Sequence, residues 1–373
     1  MEYQKAKFLK TGRDVFYDTL KERVNAYMKA NNLTRYATPV MVSKLIAQSA
    51  IFITCYTLIL TNRFTPLQCL AFAFVMAVMS DMFIFNVGHD AVHHVLFKNK
   101  KLNIIAYTMS FLLIGDNANM WKRRHLQSHH NYVNINGMDS DIEVIWLLRF
   151  TPYTPFRNIH RYQHIYAPFI YLFYTLYWVT VSDIKYLGKK RIFNFIGVQN
   201  PNRDLLHWAL AKVFYYVYLI VIPIIVLNMP WWYIIIGFVL MHFVSSYLVI
   251  MALICTHLFE AANLVKADEK GILPYNWAAH QVENCQDFNT QSKFANMVLG
   301  GQNTHTAHHL FPRICHVHYP AISQIIKATA REFGIKYNET TFFGGMMSHY
   351  RLLRKYGIEE ANRRQQIRPA MAA

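Results

Sequence analysis

Four long apolar segments constrain the fold of this chain more than any other feature of its sequence. They run over Val40–Leu60, Leu67–Val87, Leu206–Leu227 and Trp231–Cys255. Each is close to the roughly 20 apolar residues that a helix needs to cross a bilayer. Hydrophobic residues make up 54% of the chain and charged residues only 16%, a balance typical of membrane proteins with substantial water-facing parts. The sequence therefore predicts an all-α integral membrane protein with four transmembrane helices, at residues 40–60, 67–87, 206–227 and 231–255.

Short turns join these segments in two pairs. The first pair is connected by residues 61–66, which end in Pro66, and the second by residues 228–230, which end in Pro230. Proline fixes its own φ and has no backbone N–H, so it suits a place where the chain stops one helix and reverses direction. We therefore expect the four helices to form two hairpins.

Two weaker apolar stretches are not predicted to cross the membrane. Ile104–Ile114 is too short, and Ile165–Val181 is marginal in length and rich in Tyr and Trp, as is typical of segments at the membrane interface. With four crossings, residues 88–205 and 256–373 lie on the same side of the membrane as the N-terminal residues 1–37. We expect these parts to form one helical cap, and the chain of 373 residues to be a single membrane domain.

The distribution of basic residues indicates which side carries the cap. Arg63 is the one basic residue in the two short turns, although the chain has 38 Lys and Arg in total. Nearly all the others lie on the cap side, which the positive-inside rule assigns to the cytoplasm. The net charge of +17 does not predict nucleic-acid binding, because basic residues are dispersed among apolar anchors, as in Lys98–Lys101 and Trp121–Arg124. Attraction to anionic lipid headgroups explains them better.

Nine of the 18 histidines fall into three tight clusters on the cap side of the predicted helices. They are His89, His93 and His94; His125, His129 and His130; and His305, His308 and His309. Residues three or four apart share one face of an α-helix, so the histidines of each cluster are predicted to point their imidazoles at one place. Neutral imidazole is the commonest protein ligand of iron, zinc and copper, and nine exceed the need of a single ion. The clusters therefore predict a site for two metal ions.

Zinc hydrolysis, haem binding and metal transport are the alternatives to a non-haem iron site. A zinc protease of the H-E-x-x-H type needs a glutamate after the first histidine as general base, and this chain has Asp90 and Leu126 at those positions. Haem sites in membranes draw single histidines from facing helices, whereas these clusters lie beyond the helix ends and offer too many ligands. A metal carrier needs polar residues lined up within the spans, where Lys44, Asp81 and His242 are scattered. An all-imidazole set instead suits iron with coordination positions open to dioxygen.

Three segments resemble the histidine boxes of membrane fatty acid desaturases. They are Gly88–His94, Trp121–Asn134 and Gly301–Pro312. The stretch Ile314–Pro320 and the surroundings of Trp277 and Gln281 are similar to those of the bacterial linoleoyl-CoA and front-end desaturase subgroup. The resemblance covers about residues 40 to 340. It departs from the front-end pattern at His305, where those enzymes usually have glutamine.

The resemblance implies a non-haem diiron enzyme that uses dioxygen and two externally supplied electrons to introduce a double bond into the acyl chain of an acyl-CoA or an acyl-lipid. Related enzymes have a further ligand after the last span, at the position that His257 occupies here. The implied metal ligands are His89, His93, His125, His129, His130, His257, His305, His308 and His309. His94 belongs either to the metal site or to its hydrogen-bonded surroundings. A diiron hydroxylase of lipids or alkanes, built on the same architecture, is the alternative function.

Side chains close to the clusters are expected to orient the ligands, because a metal-bound imidazole needs a partner for its remaining N–H. The candidates are Asp90, Asp139, Asp141, Glu260 and Asn303. An apolar tunnel under the cap, with Lys and Arg at its mouth, is expected to take the acyl chain. The chain has no His-Pro-Gly-Gly motif of a fused cytochrome b5 domain. We therefore expect electrons from a separate ferredoxin or cytochrome b5-type donor that docks on the basic face.

Overall fold

The computed structural model describes residues 6–9, 14–142, 145–187, 191–192, 195–196, 201–274 and 276–363. Parts of the predicted N-terminal segment and cap, such as residues 1–5 and 364–373, lie outside the described residues. Within the described ranges the chain is mostly helical, with three short pairs of strands. The prediction of a mostly α-helical chain is confirmed.

Four helices of the described chain are long and apolar enough to cross a membrane. They are Pro39–Leu60, Pro66–Val92, Pro201–Val226 and Trp231–His257, called here the first to fourth apolar helices. Thr38 and Thr65 cap the first two by accepting a hydrogen bond from a backbone N–H of the first turn, and a proline follows each cap, where its missing N–H is harmless. The second and fourth helices continue past their predicted ends, so that His89 and His257 lie in their last turns.

The stretch predicted to lie at the interface is a bent pair of helices. Asn158–Tyr171 and Tyr174–Leu187 meet at an angle of 76°, and together they are long and apolar enough for a broken crossing or a re-entrant loop. The other weak stretch forms the helix Lys100–Leu113, whose 14 residues are too few to cross a bilayer. The described chain therefore contains four continuous candidates for membrane crossing and one broken candidate.

The remaining elements are short. The helical segments outside those already named are Val15–Ala30, Ala118–Arg123, Arg124–His129, His130–Tyr132, Trp277–Asn284, Lys293–Leu299, Gln302–Thr304, His305–Leu310, His316–His318, Tyr319–Glu332, Phe342–Arg354 and Lys355–Glu359. The strand pairs are Lys7–Phe8 with Ile272–Leu273 and Gln286–Phe288 with Asn338–Thr340, both parallel, and Arg191–Ile192 with Phe195–Ile196, antiparallel.

A buried apolar core holds the third histidine cluster in place. The helix Tyr319–Glu332 buries Ile322 and Ile326 against the helix Val15–Ala30 and against the short helix His305–Leu310. A helix of six residues is too short to be stable alone in water. Packing against two longer helices therefore fixes the position of the histidines that it carries.

Candidate metal centre

The structure brings eight of the predicted ligands together in two groups of four. The first group is His89, His93, His125 and His308, and the second is His129, His257, His305 and His309. Within each group, one ring nitrogen of every histidine lies within 4.8 Å of those of the other three. All of these residues are buried except His93, which is partly buried.

His130 lies between the two groups. Its Nε2 is 3.0 Å from the Nε2 of His125, and its ring centroid is 4.5 Å from that of His308 and 4.7 Å from that of His309. The nine histidines predicted as ligands therefore form one cluster, made of two groups of four with His130 between them.

Histidines that are neighbours in sequence face different groups. His125 belongs to the first group and His129 to the second, although two residues four apart were predicted to point at one place. Arg124–His129 is a π-helical turn, with hydrogen bonds to the fifth residue along the chain rather than the fourth. His130, five residues on, therefore comes to lie beside His125. The third cluster is also divided between the two groups.

Hydrogen bonds to the outer ring nitrogens orient several of the imidazoles. Nδ1 of His129 donates to Asp139 Oδ1 at 3.1 Å, and Nδ1 of His309 donates to Gln281 Oε1 at 2.8 Å. Because Nδ1 then carries the proton, Nε2 keeps its lone pair for the centre of the cluster. Among the described residues, no hydrogen-bond partner is found for Nε2 of His89, His257, His305, His308 and His309.

Burial keeps most of these imidazoles neutral. Loss of hydration, followed by repulsion between neighbouring groups, places the pKa well below its usual value at His93, His125, His130, His305, His308 and His309. His129 differs: burial opposes its charge, but Asp139 and Asp141 outweigh this effect and raise the pKa of His129 to about 9. Metals bind the neutral form of imidazole, so most of the cluster is already in the form that a cation requires.

This donor set fits two metal ions. Buried polar atoms without partners are rare and costly in folded proteins, yet several converge here in one small region. The Nε2 atoms of His93 and His125 are 3.2 Å apart, close to the separation of about 3.0 Å expected for two nitrogens bound at right angles to one ion at about 2.1 Å. Two groups of imidazoles without a thiolate suit iron with open coordination positions.

Two of the predicted orienting carboxylates contact the cluster. Asp139 is buried, and besides His129 it accepts hydrogen bonds from the backbone N–H groups of Asn134 and Asp141, both at 2.9 Å. Asp141 is more exposed, with Oδ2 3.6 Å from Nδ1 of His129 and Oδ1 3.6 Å from the guanidinium of Arg124. Asp139 is therefore the closer partner, and Asp141 links the ligand to an arginine.

Asp90 has a different role from the one expected of it. Its Oδ2 accepts hydrogen bonds from Cys315 Sγ at 2.9 Å and from His316 Nδ1 at 2.8 Å. Although Asp90 directly follows His89, the helix turns its side chain toward this other segment. It therefore holds residues 315–316 against the end of the second apolar helix.

Two further candidates and His94 lie outside both groups. Glu260 is exposed and faces Arg351 at 3.5 Å, and Asn303 donates to Asn296 Oδ1 at 2.6 Å. His94 has a left-handed backbone with φ 59°, and its Nε2 is 3.2 Å from Nζ of Lys122. Of the two roles left open for His94, this geometry favours hydrogen bonding.

The helix Trp277–Asn284 supplies orienting contacts that were not predicted from the carboxylates near the histidines. Besides the bond from His309 to Gln281, the backbone oxygen of Asn284 lies 3.4 Å from Nδ1 of His257. Gln281 and Asn284 are three residues apart and therefore share one face of this helix. Gln281 acts through its side-chain amide and Asn284 through its backbone oxygen, so residue type in the sequence signals the first contact and not the second.

A mostly apolar cavity of about 480 Å³ opens onto the histidines. Its walls include residues from Ala77 to His89 on the second apolar helix and from Met241 to His257 on the fourth. The sixteen residue-to-residue steps from Met241 to His257 correspond to about 24 Å at 1.5 Å per step. Such a cavity can hold an extended hydrocarbon chain with one part of it beside the histidines. The tunnel expected from the sequence is present in this form.

Apolar helices, a buried histidine cluster and a long cavity that meets it together define a membrane enzyme that acts on hydrocarbon chains. The chain belongs to the fatty acid desaturase family, whose family model matches residues 65–341. It is accordingly a fatty acyl desaturase, an oxidoreductase of lipid metabolism.

Curated relatives match the chain over most of its length. The sn-1 linoleoyl-lipid 6-desaturase of Arthrospira platensis is 31% identical over 352 residues, which cover 92% of this chain and 93% of the relative. The enzyme of the same description from Synechocystis sp. is 30% identical over 346 residues, covering 92% and 95%. The acyl-lipid (8-3)-desaturase of Physcomitrium patens is 29% identical over 360 residues, covering 92% and 72%.

Proposed function

We propose that this chain binds two iron ions at the two histidine groups and uses dioxygen to desaturate the acyl chain of a membrane lipid or an acyl-CoA. The observation that carries the proposal is the meeting of two buried groups of four imidazoles with one long apolar cavity. The chain is similar to enzymes named as linoleoyl-lipid desaturases, and their names support an acyl chain bound to a lipid as the substrate.

Each of the two histidine groups would hold one of the two ions. His89, His93, His125 and His308 would hold one ion and His129, His257, His305 and His309 the other, with His130 beside the first. Asp139 and Gln281 keep Nδ1 of two ligands protonated, so that Nε2 of each is free to bind. The bound irons would supply reductive activation of dioxygen for hydrogen abstraction.

The overall reaction balances with one dioxygen and two electrons from outside. Two C–H bonds of adjacent methylenes break and one C=C bond forms. The dioxygen, these two hydrogens, two electrons and two protons together give two molecules of water. The chain has no C-x-x-C pair, and we propose that a separate ferredoxin or cytochrome b5-type protein supplies the electrons at the basic face.

The cavity walls position the acyl chain. Val249, Ile250 and Leu253 of the fourth apolar helix line it on the way to His257, so the methylenes replace water along this wall. Exclusion of water leaves the reacting carbons next to the ligands and keeps bulk solvent from competing for the same space.

We further propose that the four apolar helices form two membrane hairpins and that the rest of the chain forms one cytoplasmic cap within a single domain. The lengths and composition of the helices support the crossings. The shared location of His89 and His257 in the last turns of the second and fourth helices supports a single side for the cluster. The excess of Lys and Arg outside the short turns supports the cytoplasmic assignment.

Lipid analysis and metal analysis test this function together. The full chain is expressed in a bacterial host with a suitable electron donor, and fatty acid methyl esters are analysed by mass spectrometry. We expect a product lighter than its precursor by two hydrogens and about two irons per purified chain. A product that carries an added oxygen, or a purified chain that is active without iron, contradicts the proposal.

A further inference from the structure

His93 is the one histidine among the nine predicted ligands that is not fully buried. It directly follows Val92, the last residue of the second apolar helix. Its Nε2 points into the cluster, 3.2 Å from Nε2 of His125, so the opposite edge of its ring is the part that can reach the surface. The described residues that line the cavity include His89 and His125 but not His93. The first histidine group therefore reaches the surface at a place separate from the cavity.

Basic side chains surround this place. Nζ of Lys122 lies 3.2 Å from Nε2 of His94, the residue after His93. Burial lowers the pKa of His94, and the charges of Lys122 and Lys100 lower it further, so both lysines lie close to it. The backbone N–H of Ala37 donates to the carbonyl oxygen of Val95 at 3.2 Å, which brings residues 35–37 alongside. We call the following set the basic patch: the exposed Arg35, Lys98, Lys100 and Lys101 and the partly buried Lys122.

No exposed acidic residue of the same part of the chain offsets the basic patch. From residue 23 to residue 138 the acidic residues are Asp81, Asp90 and Asp116, and all three are buried. Within the described ranges, no ion pair joins a residue of the patch to a carboxylate. On another surface, by contrast, Lys327 pairs with Glu339 at 2.6 Å. The patch therefore presents charge of one sign, which attracts an acidic partner over a Debye length of about 8 Å at physiological ionic strength.

Anionic lipid headgroups are the other partner that such lysines attract. The helix Lys100–Leu113 exposes Ile104, Ile105 and Met109, an apolar face suited to the bilayer, so the patch lies near the membrane surface. Headgroups bind lysines anywhere along this surface and do not need a metal ligand beside them. An electron carrier does need one, because electron transfer slows steeply with distance. The position of the patch around His93 therefore favours an acidic redox protein.

We propose that an acidic one-electron carrier protein docks on the basic patch, beside His93, and delivers its electrons to the metal centre from this side. The inference rests on the proposed function and names the docking site of its electron donor. Two encounters, each of which oxidises the carrier by one electron, supply the two electrons that the reaction consumes. A small patch suits such a carrier, because transient redox complexes bury less than about 1,200 Å². The acyl chain and the carrier then approach the cluster from different sides and do not compete.

Two triple variants that lose the same charge test the docking site. The patch variant combines Lys98→Gln, Lys100→Gln and Lys101→Gln. The control variant combines Lys266→Gln, Lys270→Gln and Lys336→Gln, three exposed lysines outside the patch. The probes are an acidic plant-type ferredoxin and the acidic soluble domain of cytochrome b5, both oxidised. Their Kd is measured for the full-length chain in phosphatidylcholine nanodiscs, with and without iron, so this readout does not depend on turnover.

We expect the wild type to bind these probes, and more weakly as salt is added, because salt screens the attraction. The Kd should rise at least tenfold in the patch variant and stay within threefold in the control variant. In turnover, the KM for the carrier should rise at least tenfold in the patch variant, with kcat at saturating carrier within twofold of the wild type. Zero-length carbodiimide crosslinks should join carboxylates of the probe to Lys98, Lys100, Lys101 or Lys122.

Equal Kd values in the patch and control variants overturn the inference, as do crosslinks confined to lysines outside the patch or a wild type that binds neither probe. Nanodiscs that contain phosphatidylglycerol test the lipid alternative. A patch variant that binds the carrier as the wild type does, but retains less phosphatidylglycerol, assigns the lysines to headgroups and also overturns the inference. These outcomes leave desaturation itself intact. A wild type that binds the carrier at the patch but gives no unsaturated product from any lipid refutes the proposed function instead, so the two failures are distinguishable.

Discussion

The Nε2 atoms of His125 and His130 lie 3.0 Å apart, although the two residues are five apart in sequence. On a regular α-helix, five positions correspond to about 500° of rotation, which places two side chains on different faces. The π-helical turn Arg124–His129 removes this difference. One backbone irregularity therefore places His130 beside His125, between the two groups.

His93 and His94 form a natural pair for testing the ligand set. We expect His93→Asn to reduce bound iron and to abolish product, because its Nε2 lies 3.2 Å from that of His125 in the first group. His94→Asn should keep both iron and product. Asparagine tolerates the left-handed backbone at this position, where φ is 59°. Iron analysis of the two purified variants checks the prediction, and equal iron loss in both contradicts it.

Asp139 should matter more than Asp141. Asp139→Ala removes the acceptor that keeps Nδ1 of His129 protonated at 3.1 Å, and loss of such a partner typically reduces metal affinity or activity 10- to 100-fold. Asp141→Ala, whose carboxylate is 3.6 Å from the same nitrogen and 44% exposed, is expected to have a clearly smaller effect on iron affinity. Titration of iron into the metal-free variants measures this. A reversed order would show that the exposed carboxylate orients the ring.

Gln281 is expected to act only through His309. Gln281→Leu preserves much of the volume but removes the acceptor 2.8 Å from Nδ1 of His309, so we expect a 10- to 100-fold loss of turnover. Gln281→Glu restores an acceptor and should recover most of it. Turnover and iron content are compared in the two variants, and failure of glutamate to recover either quantity speaks against an orienting role.

Removal of metal should destabilise the whole chain. The unpartnered Nε2 atoms of the cluster gain ligands only when metal is bound, and a ligand present at 100 times its Kd adds about 2.7 kcal/mol to the free energy of unfolding. We expect chelation to lower the Tm in detergent by roughly 5 °C or more, and iron to restore it. An unchanged Tm in protein that has demonstrably lost its iron contradicts the prediction.

Arg149 is expected to affect the stability of the protein and not the double-bond position of the product. Arg149→Gln removes at least two of the three hydrogen bonds from the guanidinium to partly buried backbone oxygens, at about 1.5–3 kcal/mol for each bond made by a charged group. The Tm should fall while the double-bond position stays the same. Arg354→Gln, at an exposed position, is the control and should leave the Tm within about 2 °C of the wild type. A shifted double bond in Arg149→Gln would contradict a purely structural role for Arg149.

The sequence predicts the four apolar helices because hydrophobicity is summed over about twenty residues. The predicted bounds miss the turns that carry His89 and His257 and the first five residues of the third helix, which begins at Pro201. Histidine spacing predicts that a cluster exists, but it assumes regular helices and therefore misses that a π-helical turn brings His130 beside His125. Proximity in sequence selects Asp139, which contacts His129. It also selects Asp90, which contacts Cys315 and His316 instead, because a side chain one residue away from a ligand projects from a different face of the helix. The cavity is formed by segments far apart in the chain, which no local pattern connects.

The second and fourth apolar helices contribute both the cavity walls and two of the histidines, His89 and His257. The wall that lines a bound acyl chain and the histidines beside which the chain would react therefore belong to the same two helices. Transmembrane helices change their tilt in bilayers of different thickness, but a change of tilt moves the cavity wall and the histidines together. The distance between the cavity wall and the histidines is consequently independent of the thickness of the membrane.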